Sequence, residues 1–353
     1  MAARTFLTMF NEAKEKEHFF SFKHLICAIG FLTPDKRLKA PLNYSQSLSE
    51  IVENSKESIV RNLCLNPTLE KIPAFETSML KDLVTFCVSK DYSDNDLAQC
   101  LFLMHVGKTD CHKLDENKAF SFFCNCFGNF RSIDTQFDIT QNELFVELKS
   151  IFSILMSTKA FTDAINNSID KIVVPKANTG QFNFQNLKLI FFSSKFRTIY
   201  GYSGKDRLYV NVVPIFESLE KHVSEEQKIL VIKLNFIRLI VHEASHVLLR
   251  FKLDDLNLSS PFLDGQIKGG KVFKNIKECG FETEKEFFKG CIDWDASMGR
   301  SINLSYCKEY LDKILNGVLV DFDISLANVF SLNIENFHSS GFSIRLEPDL
   351  YML

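Results

Sequence analysis

The chain has 353 residues, of which 46% are hydrophobic and 24% charged, and a formal net charge of −3. That length can bury a substantial core in one large domain or two of ordinary size, and the composition is globular, not disordered or fibrous. The near-neutral charge gives no electrostatic reason for a nucleic-acid or anionic-membrane partner, and no apolar run reaches the length of a membrane span.

The first 165 residues read as helices separated by short polar breaks. The apolar run His18–Leu32 predicts a helix ended by Thr33-Pro34-Asp35. Ser47–Leu65 places apolar residues at 48, 51, 52, 59, 60 and 63, a helical period that stops before Pro67. Glu76–Val88 and Asp96–Val106 form another expected pair, and Asn142–Ile165 reads as one long helix. No fixed period relates these segments, so a repeat solenoid is not expected. The start, Met1 to Glu12, has too short an apolar stretch for a signal peptide. Ten cysteines (Cys27, Cys64, Cys87, Cys100, Cys111, Cys124, Cys126, Cys279, Cys291 and Cys307) follow no disulfide rhythm. They read as reduced thiols of a cytoplasmic protein. Cys111-His112 with Cys124 and Cys126 has the wrong spacing for a usual structural zinc site.

Near residue 170 the texture changes. Lys171–Lys176 is short and β-branched, and Asn186–Phe192 reads as a strand. Arg197–Tyr202 and Arg207–Val213, joined by Ser-Gly-Lys-Asp, read as a β-hairpin, with Pro214 ending the sheet. A short helix is expected next. Ser224 and Gln227 then stand at the N-cap and third positions of a long helix, the pattern of a capping box.

That helix carries His242-Glu243-Ala244-Ser245-His246 inside an apolar run from Asn235 to Arg250. Histidines four apart project from one helix face, so both imidazoles can reach one ion, while Glu243 points aside and can hold a water on it. These are two metal ligands and a general base. A catalytic zinc needs a third protein ligand and an open fourth position. The metzincin completion, HExxHxxGxxH, is excluded because Leu249 and Lys252 stand where its glycine and third histidine belong. A carboxylate further on is the other solution, and Glu278, Glu282, Glu284 and Glu286 are available. Spacing alone leaves these four open.

His242-Glu243-x-x-His246 followed by Glu278-Cys-Gly-Phe-Glu-Thr-Glu284 resembles the gluzincin arrangement of thermolysin-like and aminopeptidase-like zinc peptidases. The resemblance spans roughly 175–295 and is close only in the two motifs. It implies an α+β fold in which a helical region (1–165) precedes a zincin-like catalytic region (166–353), a small sheet with a hairpin plus the active-site helix. It also implies Zn2+ held by His242, His246 and a glutamate, for which Glu278 is favoured and Glu282 is next, with Glu284 behind as a hydrogen-bond partner of a ligating histidine and Glu243 as the base, acting on a peptide or protein substrate. In such cores the sheet edge beside the metal pairs with extended substrate. Tyr306, Tyr310 and His338 are of the right type to stabilise an oxyanion. Two other readings stay open: a non-catalytic helical interaction protein whose HExxH is vestigial, and a peptidase-like regulator with a single target. From Asn303 to Leu315 a helix is expected, and the tail Phe342–Leu353 is apolar enough to dock.

Overall fold

The computed structural model describes residues 42–65, 82–106, 125–172, 180–258 and 278–331, apart from a few single positions, together with short paired strands at 19–20, 69–70, 267–268, 271–272 and 343–344. Among the described residues helices dominate, packed with one four-stranded sheet and accompanied by two two-stranded pairs, an α+β arrangement. The helices labelled here are α1 (Leu48–Leu65), α2 (Asp94–Val106), α3 (Glu143–Ser157), α4 (Lys159–Ile172), α5 (Val212–Leu219), α6 (Glu225–Leu253), α7 (Cys279–Phe288), α8 (Trp294–Met298), α9 (Leu304–Leu315) and α10 (Ile324–Ala327).

The sheet contains β1 (Lys188–Phe192), β2 (Ile199–Ser203), β3 (Arg207–Asn211) and β4 (Ser343–Ile344), in the order β1-β3-β2-β4. β2 and β3 are the expected hairpin, antiparallel with Tyr202 opposite Tyr209, and β1 runs parallel to β3. Alternation along β2 sets its two faces. A Cβ on Gly201 would lie 3.4 Å from Leu239 of α6, whereas the Tyr202 hydroxyl donates to the Ala98 carbonyl of α2 at 3.0 Å. β2 therefore lies between α2 and α6. Asn211 ends the sheet and caps α5, its side chain accepting from the Val213 N–H, so Pro214 sits inside the first turn of α5 and not at the strand end.

α6 is the axis of the molecule. Its start is set by Ser224, whose hydroxyl accepts from the Gln227 N–H at 3.2 Å. Its end is a left-handed Asp254, whose N–H reaches back to the Arg250 and Phe251 carbonyls. Between these caps most residues are buried, and α3, α4, α7 and α9 share one apolar core with α6.

Several sequence expectations are corrected. Phe19 and Phe20, expected in a helix, pair as a strand with Leu69 and Glu70; the rest of His18–Leu32 lies outside the described residues. The single helix expected over 142–165 is two, because Thr158 is extended (φ −86°, ψ 122°). Its carbonyl accepts from Phe161 and Thr162 at the start of α4. Lys171 and Ile172 finish α4 instead of opening a strand. Of Glu76–Val88, helix is described only at 82–83 and 85–87. Cys111, His112 and Cys124 lie outside the described residues, as does the tail beyond β4. Among the described residues no helix is long and apolar enough to cross a membrane.

Candidate metal centre

α6 and α7 meet at three side chains. His242 and His246 are each 1% exposed and one helical turn apart, and Glu278 enters from the N-cap of α7. The two Nε2 atoms are 3.3 Å apart. Glu278 Oε1 lies 2.8 Å from His246 Nε2 and 3.9 Å from His242 Nε2. An ion about 2.0–2.1 Å from each of two tetrahedral nitrogen ligands holds them about 3.3 Å apart. The imidazole pair therefore stands at the separation that a small divalent cation requires, and with Glu278 it forms a buried His-His-Glu group that can hold a metal ion.

Glu278 is fixed by the helix it begins. Its Oε2 accepts from the Phe281 N–H at 2.7 Å, which satisfies one orphan donor of α7 and leaves Oε1 toward the histidines. Burial alone would raise its pKa. The two imidazoles, the hydrogen bond from His246 and that from the Phe281 N–H outweigh burial and hold the carboxyl down at about 2. For His246 burial works downward, and Cys279 and Glu278 reverse it, leaving the imidazole well above its ordinary value.

Glu284 lies one side removed. Its Oε1 accepts from His242 Nδ1 at 2.7 Å and from Arg238 Nη1 at 2.9 Å. That bond places the His242 proton on Nδ1 and leaves Nε2 for an ion. Arg238 is braced in turn, its Nε donating to Asn235 Oδ1 at 2.9 Å. Burial lowers the Arg238 pKa and the Glu284 carboxylate more than restores it.

Glu243 is fully buried on α6. Arg250, seven residues on and so on the same side of the helix, donates to the Ser203 carbonyl and hydroxyl of β2 at 2.9 and 3.1 Å. Burial pulls the Arg250 guanidinium below its ordinary pKa, and Glu243 is the largest opposing influence. A buried carboxylate and a buried cation thus share the side of α6 that faces β2.

The remaining candidates are elsewhere. Glu282 pairs with Lys285 at 2.6 Å, and Glu286 pairs with Lys171. The Tyr310 hydroxyl donates to the Phe287 carbonyl at 2.6 Å, and the Tyr306 hydroxyl accepts from the Asp323 N–H at 2.6 Å. His338 lies outside the described residues. Sequence reasoning missed Arg238, although it stands one turn before His242 on the same face. It also missed Cys279 and Gly280, which touch the two imidazoles. No known protein family, no curated protein and no solved structure matches the chain.

Proposed function

We propose that the chain is a zinc-dependent peptidase of gluzincin-like design. The reading is carried by one observation: three buried donors from two helices converge within 3.9 Å of one another, the two imidazole nitrogens at the separation of tetrahedral ligands, with an outer carboxylate already on the far nitrogen of His242. His242, His246 and Glu278 would hold the ion, which supplies a lowered water pKa and a polarised scissile carbonyl. Glu243 accepts the proton of the attacking water and returns it to the leaving amine. Arg250 offsets the buried charge of Glu243 before and after that transfer. The strand packed along α6, β2, is paired on both sides, by β3 and by β4, so it does not offer the open sheet edge that an extended peptide would add to.

The burial of all three donors favours a second reading, an ion held for stability alone, since structural sites are closed and catalytic ones open. One set of measurements separates the two. Protein purified without chelator is expected to carry one zinc per chain by elemental analysis, and His246→Ala to carry none. Incubation with a peptide mixture, read by mass spectrometry, is expected to give cleavage products with wild type and none with Glu243→Gln, which keeps its zinc. Metal-free wild type defeats both readings. Bound zinc without cleavage, or cleavage unaltered by Glu243→Gln, defeats the peptidase.

A further inference from the structure

An imidazole that ligates through Nε2 needs its other nitrogen held, because that bond fixes both the tautomer and the angle of the ring. Glu284 does this for His242. For His246 the partner is a thiol: Cys279 Sγ lies 3.4 Å from His246 Nδ1, within hydrogen-bonding reach of a sulfur acceptor. The Ser245 hydroxyl lies 3.4 Å from the same sulfur. Cys279 is fully buried, so no bulk water stands ready to replace it.

The next residue acts on the other ring. A Cβ built on Gly280 would stand 2.4 Å from Cγ, Nδ1 and Cε1 of His242 alike. The imidazole therefore lies flat on the Gly280 backbone, and Phe281 meets its edge at 5.4 Å between centroids. Gly280 is not among the residues with positive φ, so no backbone requirement explains a glycine in the first turn of α7. Helix propensity alone favours alanine there. Close approach of the ring is the remaining reason.

We propose that Cys279 and Gly280 are positioning residues of the metal centre, Cys279 orienting His246 and Gly280 seating His242. The inference rests on the metal-binding reading above. Three consecutive residues then have three separate tasks: Glu278 offers the carboxylate, Cys279 holds one imidazole, and Gly280 admits the other.

The test uses the full chain and the variants Cys279→Ala, Cys279→Ser and Gly280→Ala. Three quantities are measured: zinc affinity by chelator competition, the visible spectrum of the cobalt-substituted protein, and the melting temperature of the metal-free protein. Cys279→Ala is expected to bind zinc about 10–100-fold more weakly, the usual effect of losing an outer partner, with an altered cobalt spectrum. Cys279→Ser, which restores an acceptor, is expected to recover part of the affinity. Gly280→Ala is expected to lose at least as much affinity as Cys279→Ala, and metal-free melting to stay near wild type for the cysteine variants. Wild-type affinity and spectrum in both alanine variants overturn the inference. So does a loss in Cys279→Ala that tracks metal-free melting and is not recovered by serine. A wild-type protein that takes up neither zinc nor cobalt instead brings down the metal reading itself, and this inference with it.

Discussion

One oxygen of Glu278 caps α7 while the other faces His242 and His246, so a single carboxylate joins helix initiation to the candidate site. This has a consequence for the metal-free protein. The Glu278 pKa is lowered from 4.5 to about 2. It therefore adds stability that is whole above pH 4.5 and is lost as pH falls toward 2. His246 is raised well above 6.5, so its share is whole below pH 6.5 and is lost as pH rises through the folded-state value. As far as this pair governs, chelator-treated protein should be most stable between pH 4.5 and 6.5. Thermal melts across pH should show Glu278→Gln with a flattened acid limb and a smaller alkaline loss; an unchanged profile would count against the pair. At this scale the sequence was uneven in what it revealed. The two histidines and Glu243 are legible because helical spacing fixes their faces without tertiary information. Glu278, Glu282 and Glu284 could be listed but not ranked by spacing alone. Their roles depend on α7 beginning at Cys279, and that start places Glu278 at the cap, Glu282 out beside Lys285 and Glu284 against His242.

Helices are where the sequence spoke most clearly. Ser224 and a largely apolar stretch behind it that no proline interrupts announced α6, and the structure extends it over 29 residues. Only half of the expected capping box forms. The Gln227 side chain turns away from Ser224 and donates instead to the Met298 and Arg300 carbonyls, both at 2.8 Å, tying the start of α6 to the end of α8. Ser224→Ala should lower stability by about 1 kcal/mol, the usual worth of a serine cap, as read from urea unfolding. A loss indistinguishable from zero would mean that this tie, and not the cap, fixes the helix start. The break at Thr158 was invisible because apolar periodicity runs through it and neither proline nor glycine marks it. The parallel pairing of β1 with β3 was equally hidden, since local pattern identifies a strand and not its neighbour.

At the scale of the whole molecule, α6 joins the core, the sheet and the candidate site, so binding at the site should be felt globally. Zinc at about a thousand times its dissociation constant adds about 4 kcal/mol to a folded state that alone binds it. Calorimetry should then show a melting temperature raised on the order of 5–10 °C, reversed by chelator and absent in His246→Ala. Residues 247–277 lie between His246 and Glu278 along the chain. An ion gripping both therefore acts as a clip across a long stretch of polypeptide, and such ring closure is costly to achieve before the flanking helices have met. Such a clip would accordingly close late on the way to the native state. Its influence belongs to the departure from that state and not to the approach: zinc should prolong the lifetime of the folded chain while leaving its refolding rate nearly untouched.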